Sequence, residues 1–168
     1  AGQRCMASSV AVAVGKAGDP IVESLVDYAG RMRVGPTDGH EDVDMGPVIR
    51  ADHRDRVASY LDIAKGEGAT VALDGRREFK SDGFLLGPSV VDKVKPELRV
   101  WQADIFGPVL SVVRTGDLDE AFAIGKRCDF GTGAARFTRG GAAARPATHH
   151  LKASRVGTNG GEPARVAW

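Results

Sequence analysis

Cys5 stands in the stretch Gly2-Gln3-Arg4-Cys5-Met6-Ala7, and a cysteine attacks carbon only as its thiolate. A free thiol with a pKa of about 8.5 is a few per cent ionised at neutral pH. A cation in the preceding position, Arg4, lowers the cost of that anion. Gly2 lets the backbone approach a small molecule closely. Taken alone, these residues leave two readings open: a reactive nucleophile, or a small apolar side chain near the start of the chain.

Other chemistry-bearing patterns are incomplete. Gly131-Thr132-Gly133 lacks the third glycine of a dinucleotide fingerprint, and Gly15-Lys16 and Gly125-Lys126 lack the Ser or Thr of a phosphate loop. His149 and His150 are adjacent on an expected helix, so their rings point in different directions and cannot easily share a metal. With His40 and His53 they read as surface histidines. Cys128, at a helix end, reads as core. No His/Cys/Asp/Glu spacing suggests a metal site.

The chain of 168 residues is the length of one domain with a proper core. Lys plus Arg number 23 against 22 Asp plus Glu, a net charge of +1 that gives no electrostatic reason to expect nucleic acid or an anionic membrane as partner. Two cysteines make no disulfide framework, which points to a reducing cytoplasm. No apolar run of about 18 residues spans a membrane, and no basic-then-apolar leader marks secretion. The first residue is Ala1 rather than Met, directly before the candidate nucleophile, which reads as a piece of something longer.

The elements that must position these groups follow from periodicity. Alternation over Ser8–Val14 predicts a strand. Asp19-Pro20 predicts a helix start, with Asp19 as N-cap and the helix ending near Met32. Val34–Val43 reads as a polar loop. Asp52–Lys65 is a helix with an apolar stripe of Val57, Tyr60, Leu61 and Ala64, and Gly66 as C-cap. Strands are expected at Ala69–Leu73, within Phe84–Val91, at Val109–Val113 (apolar throughout, hence buried on both faces), at Ala134–Thr138 and at Arg155–Thr158. Leu118–Cys128 is an amphipathic helix capped by Asp117, and Ala142–Lys152 a further helix in which Pro146 sits awkwardly. Strands alternating with helices predict an α/β fold with a mainly parallel, doubly wound sheet flanked by helices.

Gly-Gln-Arg-Cys-Met-Ala resembles the nucleophile motif of the aldehyde dehydrogenase superfamily, and within it the methylmalonate-semialdehyde dehydrogenase branch, which acylates coenzyme A. About a hundred residues on, Asp104-Ile105-Phe106-Gly107-Pro108-Val109 resembles the family's Glu-Ile-Phe-Gly-Pro-Val. Asp44-Met45-Gly46-Pro47-Val48-Ile49, Gly87-Pro88-Ser89-Val90 and Phe130-Gly131-Thr132-Gly133 continue the likeness, which covers residues 1–159.

The resemblance implies roles. Cys5 is the nucleophile that forms a thioester with an aldehyde, methylmalonate or malonate semialdehyde, and coenzyme A takes up the acyl group. Arg4, beyond its charge, holds the substrate carboxylate through two parallel hydrogen bonds; a solvent-facing arginine is the alternative. Asp104 accepts from the nicotinamide ribose hydroxyls of NAD and Phe106 packs beside the nicotinamide, the alternative for Asp104 being a solvated surface acid. Asp is a methylene shorter than the family's Glu, and Ala103 stands where the family has a second acid. Asn159, after Val156-Gly157-Thr158, supports the shape of the substrate site.

The same resemblance implies a partial catalytic domain over residues 1–159 and a divergent tail over 160–168. It also implies a separate NAD-binding domain or partner chain, a homo-oligomer in the intact enzyme, and inactivity of these residues alone. A second expectation, from a different class, is a non-catalytic aldehyde-dehydrogenase-like module serving as an interaction surface.

Overall fold

β-branched alternation and apolar stripes give, among the described residues, ten strands and α-helices in chain order. They are β1 (Val10–Val14), α1 (Gly18–Gly30), α2 (Ala51–Gly66), β2 (Thr70–Leu73), β3 (Ser89–Asp92), α3 (Arg99–Gln102), β4 (Val109–Thr115), α4 (Leu118–Lys126), β5 (Ala134–Arg136) and β6 (Val156–Thr158). The structure, a computed structural model, describes residues 2–39, 42–78, 83–138, 140 and 152–160. The sequence-expected helix over 142–152 apart from Lys152, which is not helical, and His40, His149, His150 and the tail from residue 161 lie outside the described residues.

The sheet is ordered β1-β4-β3-β2. β1–β4 and β4–β3 are parallel and β3–β2 is antiparallel. β4 therefore has a strand on either side and packing on both faces, which is why its run Val-Leu-Ser-Val-Val carries no charge. Side chains alternate across the sheet. Val112, Val90 and Ala13 face Ile21, Val22, Leu25 and Val26 of α1. Val109, Val113 and Val91 face Val57 and Leu61 of α2 and Ile124 of α4. Helices thus cover both faces, as a doubly wound sheet requires. Full burial of each such side chain is worth about 1.5–3 kcal/mol. β5 and β6 form a separate parallel pair, Ala134 opposite Val156.

Several expectations are corrected. Asp19 is not the N-cap of α1: the helix starts two residues earlier, Ala17 occupies the cap without a side-chain hydrogen bond, and Asp19 binds Arg114 instead. α2 runs through Gly66 with Glu67 as C-cap, and the left-handed residue is Gly68 at φ +89°. α3, four residues long, has no counterpart in the sequence reading. Asp117 does cap α4, accepting from the Glu120 N–H.

The topology also explains how two distant motifs meet. The Cys5 loop leads into β1 and the Asp104–Pro108 loop leads into β4. Because β1 and β4 pair in parallel, Val10 opposite Ser111, both loops emerge at the amino ends of neighbouring strands. The Ser111 N–H donates to the Ser9 carbonyl, extending that pairing toward the loops. This is the opposite end from the usual ligand crevice of open parallel sheets.

Candidate active site

Cys5 is a free, exposed thiol in a tight turn closed by the Ala7 N–H on the Arg4 carbonyl, 3.1 Å. Arg4 is exposed beside it. The turn is fixed from behind at two points. Gly2, at φ +71°, lies against the Gly107 carbonyl, where a Cβ would stand 2.4 Å from the oxygen. Gln3 accepts through Oε1 from the Ile49 N–H, 3.0 Å, tying the loop to the Gly46–Ile49 segment.

Four of the candidate residues therefore lie on two loops that meet at one place. The Gly2–Gly107 contact seats the loop of Arg4 and Cys5 on the loop of Asp104 and Phe106. Asp104 is exposed, and among the described residues no cation or N–H satisfies its carboxylate. Phe106 is 36% exposed and holds φ +55°, a left-handed conformation that costs a side-chain-bearing residue of order 1–3 kcal/mol. Such a turn persists only where its surroundings dictate it.

α2 supplies those surroundings. The Phe106 carbonyl is 2.8 Å from His53 Nε2, and the Ile105 carbonyl accepts from Arg56 Nη2 at 2.7 Å. Val57 leaves no room for a side chain at position 107, its methyls standing 2.7 and 2.8 Å from where a Cβ would be. Arg56 also lies over the Tyr60 ring, 5.8 Å from its centroid. His53 is thus not the surface histidine the sequence suggested: it is half-buried and bonded to the second motif. A signal was available. Residues 53, 56, 57 and 60 share one face of α2 with the apolar stripe, and a polar group placed there must find a partner.

Asn159 sits apart from this pair of loops in its bonding. At φ +53° it donates from Nδ2 to the Thr138 carbonyl, 2.9 Å, accepts at Oδ1 from the Thr138 N–H, 2.8 Å, and donates its own N–H to the Arg136 carbonyl. Its amide acts as a further rung of the β5–β6 pair. Four residues before it, Arg155 Nη1 reaches Met6 Sδ of the Cys5 loop at 4.0 Å. Cys128 is half-buried and packs on the main core.

A cleft of about 240 Å³ lined by Pro96, Trp101, Gln102, Arg127, Asp129 and Phe130 shares no residue with the two loops. Among the described residues no group of three or more metal-binding side chains is present, and no helix is long and apolar enough to cross a membrane.

A model of the aldehyde dehydrogenase family matches residues 1–167. Malonate-semialdehyde dehydrogenase 2 of Geobacillus thermodenitrificans is 42% identical over 170 residues, covering 100% of this chain and 35% of that protein. The crystal structure of methylmalonate-semialdehyde dehydrogenase from Oceanimonas doudoroffii superposes with a TM-score of 0.89 at 40% identity, over 94% of this chain and 33% of that one. Betaine aldehyde dehydrogenase from Staphylococcus aureus, in complex with NAD+, gives a TM-score of 0.90 at 32% identity, over 98% of this chain and 33% of that one. The chain spans about a third of the length of the curated relatives it matches.

Proposed function

Because the chain belongs to the aldehyde dehydrogenase family, we propose that it carries the thiol chemistry of an NAD-dependent, coenzyme-A-acylating oxidation of malonate or methylmalonate semialdehyde. The observation that supports this most is the seating of the exposed Cys5 turn on the Asp104–Phe106 loop.

In this reading Cys5 Sγ forms a bond to the aldehyde carbon, and the carbonyl electron pair moves to oxygen. The Ala7 N–H is already committed to Arg4. The amides of Cys5 and Met6, free of backbone partners among the described residues, are the donors left to meet that oxyanion. Arg4 takes the substrate carboxylate in two parallel hydrogen bonds, and this carboxylate leaves as CO2 when the substrate is methylmalonate semialdehyde. Asn159 keeps the β5–β6 end in register beside the turn.

The described residues fit a dinucleotide at the second loop. Asp104 offers a carboxylate with no competing donor, able to accept from two vicinal hydroxyls, and Phe106 offers a ring face beside it. NAD, when bound, accepts the hydride from the aldehyde carbon. Cys5 is then left as a thioester, and the coenzyme A thiol displaces it, forming one S–C bond as the other breaks.

The 168 residues carry no complete dinucleotide or phosphate-loop fingerprint of their own, so we assign them no turnover alone. Mixing the purified chain with NAD, coenzyme A and malonate semialdehyde is expected to yield no NADH. The nucleophile assignment is tested by iodoacetamide at pH 7 with peptide mass analysis. Cys5 is expected to be modified at least about tenfold faster than the half-buried Cys128. Equal rates would favour an interaction module over an enzyme.

A further inference from the structure

We propose that His53 is a positioning residue of this site, holding the Phe106 carbonyl and with it the left-handed turn that presents Asp104 and the Phe106 ring. The inference rests on the reading that those two residues meet the cofactor, and it concerns how they are held there.

Phe106 is a side-chain-bearing residue at φ +55° in a loop that α2 grips at three consecutive residues. Arg56 binds the Ile105 carbonyl, His53 binds the Phe106 carbonyl, and Val57 packs against Gly107. His53 is the member that acts on the strained residue itself. A carbonyl accepts only, so Nε2 must carry the proton. The Gly107 carbonyl, next in line, accepts from the Val109 N–H at 2.8 Å and also forms the seat of Gly2. Fixing the Phe106 carbonyl therefore orients both the cofactor-facing ring and the support of the nucleophile turn.

The test is hydrogen exchange on the full 168-residue chain, read without cofactor or substrate. His53→Leu keeps much of the volume and removes the donor. His53→Gln restores a side-chain N–H. Exchange over residues 104–109, the Val109 amide above all, is expected to accelerate on the order of fivefold or more in His53→Leu, the loss of one hydrogen bond. It should return close to the parent rate in His53→Gln, with α4 unchanged in both. His53→Asn, polar and one bond shorter, carries the same expectation as leucine and serves if leucine prevents folding. Unchanged exchange over 104–109 in the donor-less variant would overturn the proposal. So would equal acceleration in His53→Gln, or equal acceleration in α4, which would make the role one of general stability. Failure here leaves Cys5 labelling untouched, whereas failure of Cys5 labelling overturns the proposed function and not the clamp.

Discussion

Gly2 rests on the carbonyl of Gly107, with room for a hydrogen and nothing larger: a Cβ on Gly2 would stand 2.4 Å from that oxygen and 2.8 Å from its carbon. The contact joins the Cys5 loop to the Asp104–Pro108 loop through backbone alone. Gly2→Ala therefore meets both a clash with backbone and a positive φ of 71°. The φ penalty alone is about 1 kcal/mol, and the clash adds to it. The expected result is a lowered unfolding midpoint together with an altered Cys5 alkylation rate, measured by urea titration and peptide mass analysis.

Gly107→Ala is expected to cost about 1–3 kcal/mol, as overpacking against Val57 does. Trimming Val57 to Ala removes both methyls and leaves a contact of 3.3 Å to its Cβ. Gly107→Ala should therefore cost less in the Val57→Ala background than in the parent. A double-mutant cycle by urea unfolding checks this, and strict additivity would contradict the packing described.

Of the sheet and its site, the sequence made legible those parts that local patterning controls. Val109–Val113 of β4 stood out as an uncharged, mainly apolar run, and Asp117 as a cap because the Glu120 N–H lies three residues on. Asp19 misled, since a short acid before proline is as suitable for a long-range partner as for a local one, and Arg114 is 95 residues away. α3 is too short to show a period. The meeting of the two motifs required the parallel β1–β4 pairing, which no spacing reveals. His53 and Arg56 were masked by charge: on a helix read for its apolar stripe, polar residues on the same face are taken for solvent-facing ones.

Asp92 lies 4% exposed at the end of β3. Burial pushes its carboxyl upward, but hydrogen bonds from the Arg114 guanidinium and the Lys93 N–H outweigh this and hold it below the usual range. Asp19 shares the same guanidinium, and the two acids keep Arg114 charged. A carboxyl depressed in the folded state contributes stability above its unfolded value, about 3.9. That contribution is lost as pH falls through the folded value. Asp92→Asn is expected to cost about 1–3 kcal/mol at pH 7, with the gap to the parent narrowing below about pH 4. Urea unfolding at pH 7, 5 and 3 checks the sign.

Asn159→Ala removes both bonds to Thr138 and leaves a β-carbon at φ +53°. Asn159→Gly removes the bonds but relieves the backbone. Both should accelerate exchange of the Thr138 amide, alanine more than glycine, by about 0.5–1 kcal/mol of local stability. Nuclear magnetic resonance exchange rates decide it.

The thiol chemistry itself is tested most directly by substrate protection. Malonate semialdehyde adds reversibly to a competent Cys5, so increasing aldehyde should slow iodoacetamide modification of Cys5 and leave Cys128 unaffected. Propanal, which lacks the carboxylate, should protect less, and Arg4→Gln should erase the difference between the two aldehydes. Cys5 labelling at one rate with and without malonate semialdehyde would contradict the assignment of this residue as the nucleophile.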